Sequence, residues 1–382
     1  MHELIRFLEG RDARQTRRRL APLDGRAPAR AVLDGRDIVD FSSNDYLGLS
    51  GHPAVVAAAQ EALARYGVGA GASRLMSGDL AVHHALEEAA AAFKETEAAL
   101  VFTSGYQANT AVIPALADRH DAVFADALSH ASLLDGALLS RAKLIRFTHN
   151  DPDDLAALLE KHRAGYSRAL IVTESVFSMD GDCALLRPIA ELKDRYDCRL
   201  YVDEAHATGV FGPHGQGLVG AEGLTDRVEF TMGTFSKALG GFGAYLASSR
   251  LVVDYLVNAA RGFIYTTALP PVIVAANLAA LHVCRQEPGL GAALLAKAAR
   301  FREALRERGW DARGACQIVP VVVGDSARAL ELSARLAEQG FLVVAVRPPT
   351  VPDGAARLRF SLSVAHTDAQ LQAVLEALGH NA

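Results

Sequence analysis

Apolar and polar positions follow two rhythms along this chain. Short apolar runs at 98–103, 122–125, 169–173, 199–203, 229–232 and 243–247 have the length of strands, and helix-like stretches separate them. Brief, nearly continuous apolar runs suit strands buried on both faces of a sheet. Residues 53–66 predict a helix, because Pro53 fits a first turn, Ala and Leu fill the interior, and Gly67 supplies a stop. This alternation predicts an α/β protein with a mainly parallel sheet covered on both sides. Such sheets carry their chemistry at the carboxyl ends of the strands.

After a helical run at 272–285 the pattern changes. Helices at 291–308 and 327–339 alternate with strands at 318–323, 342–346 and 357–362; Asp325 or Ser326 can cap the second helix and Gly340 can end it. This predicts a smaller C-terminal α/β domain with an antiparallel or mixed sheet. Upstream, the first 40 or so residues read as a polar helical arm followed by a turn-rich stretch at 22–35. The expected organisation is an arm at 1–45, a large domain at 46–275 and a small domain at 276–382, with no internal repeat or low-complexity tract.

Composition narrows the function classes. With 382 residues, half of them apolar, the chain can bury a sizeable core. A net charge of -5 with both signs scattered offers no polybasic face for nucleic acid or membrane beyond Arg17, Arg18 and Arg19. The four cysteines, Cys183, Cys198, Cys284 and Cys316, lie far apart without a C-x-x-C pair, which argues against a disulfide framework and a structural metal site. The apolar run at 270–284 is too short to span a bilayer and contains Asn277. No secretory signal is visible, so a cytoplasmic location is expected.

Candidate chemistry sits where strands end. The strand at 199–203 runs into Asp203, Glu204, Ala205 and His206. These letters also occur in helicases, but the phosphate loop those enzymes require is missing. Thirty-four positions past Asp203, Lys237 lies among Thr234, Ser236, Gly240 and Gly241, small residues that let a bulky group approach. A lysine amine to form an imine and a carboxylate to hold a ring nitrogen protonated are what pyridoxal catalysis needs.

At this point the chain resembles the α-oxoamine synthases, fold-type I enzymes dependent on pyridoxal 5′-phosphate (PLP). The resemblance rests on the order and spacing of Phe41 to Leu49, Thr103 to Asn109, Ser129 to Ser132, Thr173 to Gly181, Asp203 to His206, Thr234 to Lys237 and Arg347 to Pro352. It implies a fold-type I PLP-dependent transferase in which Lys237 carries the cofactor and then removes the α-proton. It further implies that Asp203 pairs with the ring nitrogen, His206 and Ser178 contact the ring's phenolic oxygen, and His130 stacks on the ring face. The cofactor phosphate would meet Ser104, Gly105 and Tyr106 at a helix start, Thr234, and Thr267 across a homodimer interface. Arg347, helped by Asn44, would bind the substrate carboxylate, and Arg17 would stand at the acyl-donor entrance. No metal is expected.

The implied reaction joins L-alanine to a pimeloyl group carried by coenzyme A or an acyl carrier protein, with loss of carbon dioxide. Alternatives are glycine C-acetyltransferase chemistry on the same scaffold and a non-catalytic interaction subunit, which would lack the imine-forming lysine. A nucleotide-binding module is weakly suggested by the glycines at 67–71 and 240–243, which lack the dinucleotide fingerprint.

Overall fold

A computed structural model describes residues 1–14, 16–18 and 20–381. The chain forms two compact units. The larger comprises Leu47–Ser178 and Cys183–Ala293; the smaller comprises Met1–Tyr46, Met179–Asp182 and Leu294–Ala382. The N-terminal segment is therefore part of the unit formed by the C-terminal residues. The expected boundary at 275/276 falls inside the helix Pro271–Gln286, which packs on the helices Pro53–Tyr66 and Ala81–Lys94 of the larger unit.

The larger unit is built on seven strands: β1 (Ala98–Phe102), β2 (Ala122–Asp126), β3 (Lys143–Phe147), β4 (Ala169–Glu174), β5 (Arg199–Asp203), β6 (Phe230–Thr234) and β7 (Ala244–Ser248). Their order is β1-β7-β6-β5-β4-β2-β3. β7 runs antiparallel to both neighbours, and the remaining pairings are parallel. The continuous apolar runs arise because β1, β2, β4, β6 and β7 are buried at every position.

β3 was not anticipated, and its place explains why. At the sheet edge only Ile145 and Phe147 are buried while Lys143 and Arg146 face solvent, so the strand lacks the apolar density of the central ones. One apolar cluster joins Leu100, Phe102, Val112, Ile113, Leu133, Val172, Phe230, Met232 and Leu246. Within it the helices Gly105–Leu116 and Ala131–Ser140 approach closely, because a Cβ at Gly136 would stand 2.6 Å from the Asn109 carbonyl oxygen.

In the smaller unit, the segment expected to be turn-rich is an antiparallel meander of Gly25–Ala27, Arg30–Leu33 and Arg36–Asp40. Asp34 and Gly35 both have positive φ, the requirement of a tight hairpin turn, and this Asp-Gly pair between apolar runs was the available sequence signal. A second sheet pairs Asp311–Ala312, Ile318–Gly324, Ala356–Ser361 and Val344–Val346 antiparallel throughout. The expected single strand at 342–346 divides between the two sheets. Leu342 stays with the meander, its carbonyl accepting from Phe41 N, whereas the amide of Val344 donates to the Ser42 hydroxyl and breaks the ladder.

All four cysteines are free thiols. Among the described residues no helix is long and apolar enough to cross a membrane, and no cluster could hold a metal ion.

Candidate active site

Asp203 is the last residue of β5 and is buried. Its Oδ1 accepts from Ala205 N at 2.9 Å and its Oδ2 from Asn109 Nδ2 at 2.9 Å. A carboxylate offers about four lone-pair positions, so these two donors leave room for a charged donor such as a ring N–H. His206 follows, buried in the turn after β5.

His130 is the N-cap of the helix Ala131–Ser140, and its Nδ1 meets Ser132 N at 3.2 Å and Ser132 Oγ at 2.8 Å. The residue is exposed, which leaves its imidazole open to a stacking partner. Desolvation pushes its pKa below the ordinary histidine value; the Asp203 charge opposes this and the Lys237 charge adds to it. Lys237 is partly exposed in the turn after β6, and its charge and that of Asp203 both act on His130. Strand ends from β2, β5 and β6 bring these three groups together.

Ser104 caps the helix Gly105–Leu116, its Oγ accepting from Gln107 N at 3.1 Å. The amides of Gly105 and Tyr106 sit in the first turn, where helices leave N–H groups without backbone partners and favour anions. A Cβ at Gly105 would meet nothing closer than Met232 Cε at 3.6 Å. The protein's own packing therefore does not demand glycine there. Thr234 ends β6, donates to Gly243 O at 2.8 Å and stands 2.7 Å from Ser236 Oγ. An open anion cradle, a buried carboxylate, a stackable imidazole and a lysine form a donor set that fits PLP.

The glycines after Lys237 serve packing: a Cβ at Gly241 would stand 1.9 Å from Asn277 Oδ1. A cleft of about 710 Å³ lies at the opposite ends of these strands, near Arg199, Phe230 and Ser248, and contains none of the site residues.

Comparison with known proteins shows the family and the fold. The model of the family described as aminotransferase class I and II matches residues 36–378. An 8-amino-7-oxononanoate synthase of Anaeromyxobacter dehalogenans is 52% identical over 372 residues, covering 97% of this chain and 93% of its own. The chain belongs to the 8-amino-7-oxononanoate synthase family. Among solved structures, a Sphingomonas wittichii serine palmitoyltransferase superposes with a TM-score of 0.93 at 34% identity, covering 98% of this chain and 95% of its own. A second serine palmitoyltransferase, from S. paucimobilis with PLP bound together with myriocin, gives 0.92 at 32% identity and covers 98% and 96%. This member of the synthase family thus has the fold-type I architecture of PLP-dependent enzymes, and its cofactor is PLP.

The remaining residues expected at the site of this synthase-family chain are divided between the two units. Ser178 is half-buried in the loop after β4, and Thr267 is exposed just beyond the helix Arg261–Ile264. In the smaller unit Arg347 is half-buried after Val344–Val346. Arg17 is drawn back to Asp12 at 2.5 Å, whereas Arg18 donates to Thr350 Oγ1 at 3.0 Å; Arg19 lies outside the described residues.

Asn44 keeps company that the sequence reading missed. Its Oδ1 accepts from Tyr46 OH at 3.0 Å and from Arg359 Nη1 at 3.3 Å, and Arg359 also donates to Ser361 Oγ at 2.7 Å. Arg359 is a buried guanidinium, and the available signal was its alternation with apolar residues along 357–362. Glu174 was also overlooked. At the end of β4 its Oε1 accepts from His130 N at 2.7 Å, and burial, reinforced by the Asp203 charge, raises its pKa well above the carboxylate range.

Proposed function

We propose that this chain condenses L-alanine with a pimeloyl thioester, carried by coenzyme A or an acyl carrier protein, to give 8-amino-7-oxononanoate, carbon dioxide and the free thiol carrier. The observation that carries the reading is the placement of Lys237, Asp203 and His130 at or just past the carboxyl ends of β6, β5 and β2, within a chain 52% identical to an 8-amino-7-oxononanoate synthase.

PLP, when bound, supplies an electron sink for negative charge at the amino acid's α-carbon. Lys237 Nζ would hold the cofactor, and its amine is the group that would take the α-proton and later return a proton to the product carbon. Asp203 accepts the ring N–H and keeps that proton in place. His130 would cover one ring face and exclude water from it, while His206 and Ser178 would hydrogen-bond the ring's phenolic oxygen. Ser104, the amides of Gly105 and Tyr106, and the Thr234 hydroxyl anchor the phosphate.

Arg347 and Asn44, with Arg359 beside Asn44, would bind the substrate carboxylate, and their contribution would be positioning rather than added reactivity. Arg17 guides the acyl donor. Thr267 reaches the phosphate of a second copy, which makes the working unit a homodimer. Exposed apolar side chains at Val68, Leu75, Met76, Phe242 and Tyr265 of the larger unit supply surface for that pairing. The enzyme works in the cytoplasm, without nucleic acid or membrane partners.

The test is spectroscopic first and kinetic second. The purified protein is expected to show a visible cofactor band that borohydride abolishes, that Lys237→Ala lacks and that alanine perturbs. Condensation rates are then compared for alanine with pimeloyl-CoA, glycine with acetyl-CoA and serine with palmitoyl-CoA. A colourless protein that cannot be loaded with PLP would overturn the reading, and a preference for either other pair would overturn the substrate assignment.

A further inference from the structure

Behind the residues expected to touch the cofactor lies a hydrogen-bonded network that those roles do not account for. Tyr201 OH stands 2.7 Å from Asn109 Oδ1, and Asn109 Nδ2 stands 2.9 Å from both Asp203 Oδ2 and Ser132 Oγ. Ser132 Oγ in turn stands 2.8 Å from His130 Nδ1. Asn109, Ser132, Tyr201 and Asp203 are all buried.

The direction of each bond in this network can be assigned. Burial, and then the Asp203 charge, push the Tyr201 pKa well up, so its hydroxyl keeps its proton and donates to Oδ1. This orients the amide and aims its two N–H groups at Asp203 and Ser132. Ser132 Oγ accepts from that amide, and its own proton remains available to His130 Nδ1. The backbone N–H of Ser132, which can only donate, points at the same atom. Nδ1 therefore bears a lone pair, and the proton of neutral His130 is on Nε2.

We propose that Asn109 and Ser132 are positioning residues: Asn109 fixes the rotamer of Asp203, and through Ser132 it fixes His130 in its neutral Nε2–H tautomer. A neutral ring can lie over a cationic pyridinium without the repulsion a protonated one would bring. One amide thereby sets the partner of the ring nitrogen and the covering of the ring face together. The inference rests on the PLP reading for its purpose, but the tautomer is a property of the protein alone.

The experiment uses full-length protein labelled with ¹⁵N-histidine, measured without and with PLP, the His130 signals being assigned through His130→Asn. The charges bearing on His130 are those of Asp203, Lys237 and Asp135, with Glu174 on its backbone amide, and all are retained in Ser132→Ala. At neutral pH the cofactor-free wild type is expected to show a protonated Nε2 and a hydrogen-bonded, unprotonated Nδ1. Ser132→Ala removes a donor that favours the neutral ring, so His130 should titrate at higher pH and lose the single-tautomer signature.

Asn109→Asp replaces the donor with a like charge beside Asp203. PLP binding by equilibrium dialysis should weaken roughly 10- to 100-fold, the loss expected for a hydrogen bond to a charged group. Should Asn109→Asp fail to fold, Tyr201→Phe, which frees the amide to rotate, carries that arm with the same direction and smaller size. A purely structural network would lower the melting temperature and leave the tautomer, the His130 titration and PLP affinity unchanged. That outcome, or a wild-type His130 protonated at Nδ1, overturns the proposal. Failure to bind PLP in wild type would overturn the functional reading and leave the tautomer result standing.

Discussion

The two units differ in the ionisable groups they bury: acids at strand ends mark the larger, and arginines within a strand set the smaller apart. In the larger unit the buried charges are mostly acids at strand ends: Glu174 closes β4, Asp203 closes β5, and Glu204 follows with its partner Lys94. In the smaller unit Asp40 and Asp45 are buried at and after the end of the meander, and two arginines, Arg357 and Arg359, are buried within a strand, on the same face of Ala356–Ser361 because side chains alternate. An acid at the carboxyl end of a parallel strand points into the space where loops converge and can meet a ligand. A guanidinium within a strand is held at a fixed depth and presents a rigid fork. The first arrangement suits reaction and the second suits recognition.

The largest effect that would sharpen this contrast is Lys237→Ala. Loss of the proposed proton-transfer base should lower turnover by about 10⁴-fold, with the melting temperature of the cofactor-free protein nearly unchanged. A variant retaining even a tenth of wild-type turnover would remove the larger unit's claim to the chemistry.

Next in size is the buried pair of Lys94 and Glu204. Lys94 donates to both the Glu204 carboxylate and Gln216 O, and Glu204 also accepts from Val219 N at 2.8 Å. Lys94→Met strands a carboxylate with no exposed surface, at a cost of about 3–5 kcal/mol, whereas Lys94→Met combined with Glu204→Leu should recover most of it. Chemical denaturation of both variants measures this. Equal destabilisation by the single and double changes would show that the pair is not the source of the stability.

The contrast extends to pH. In the smaller unit His366 stacks on Phe41 with centroids 4.3 Å apart, accepts from Ser363 N through Nδ1 and donates from Nε2 to Asp40 O. Burial lowers its pKa to about 4. Between the usual value near 6.5 and 4 the unfolded chain binds the extra proton, so stability falls as pH falls through that window, by about 3 kcal/mol in full.

Glu174 in the larger unit behaves inversely. Its raised pKa means the folded state holds the extra proton, so its contribution is present at acid pH and is lost as pH rises above the ordinary carboxylate value. Unfolding free energies measured across pH should lose the acid slope in His366→Gln and the opposing slope in Glu174→Gln. Unchanged slopes in either variant would refute that assignment.

How much of this the sequence disclosed follows the same division. Strand-end chemistry is legible because an apolar run that stops at Asp203 or just before Lys237 marks both the element and the exit point. Central strands were readable for the reason β3 was not: burial on both faces forces apolar density, while an edge strand carrying Lys143 and Arg146 reads as surface. Asn109 stood in a motif already singled out, but its contacts with Asp203, Ser132 and Tyr201 join helices and strands that only the folded chain brings together. Arg359 was concealed by a different logic, since a single arginine reads as solvated surface until its strand is known to be buried on both faces.

Arg359 is also where the comparison predicts its smallest effect on turnover and a specific effect on binding. Its neighbour Arg357 donates to Asp180 Oδ1 at 2.6 Å and to the carbonyls of Met179 and Ala355, so that guanidinium is committed to holding the smaller unit together. Arg359 instead shares Asn44, the residue expected beside the substrate carboxylate. A lysine keeps the charge and loses the two-pronged geometry that matches a carboxylate. Arg359→Lys should therefore raise KM for the amino acid roughly 10- to 100-fold, the cost of about one charge-assisted hydrogen bond, with little change in stability. Arg357→Lys should do the reverse, lowering the melting temperature while KM stays within about twofold, because its partners belong to the protein. If both changes raise KM alike, the strand acts as one binding element and the distinction between its two arginines fails.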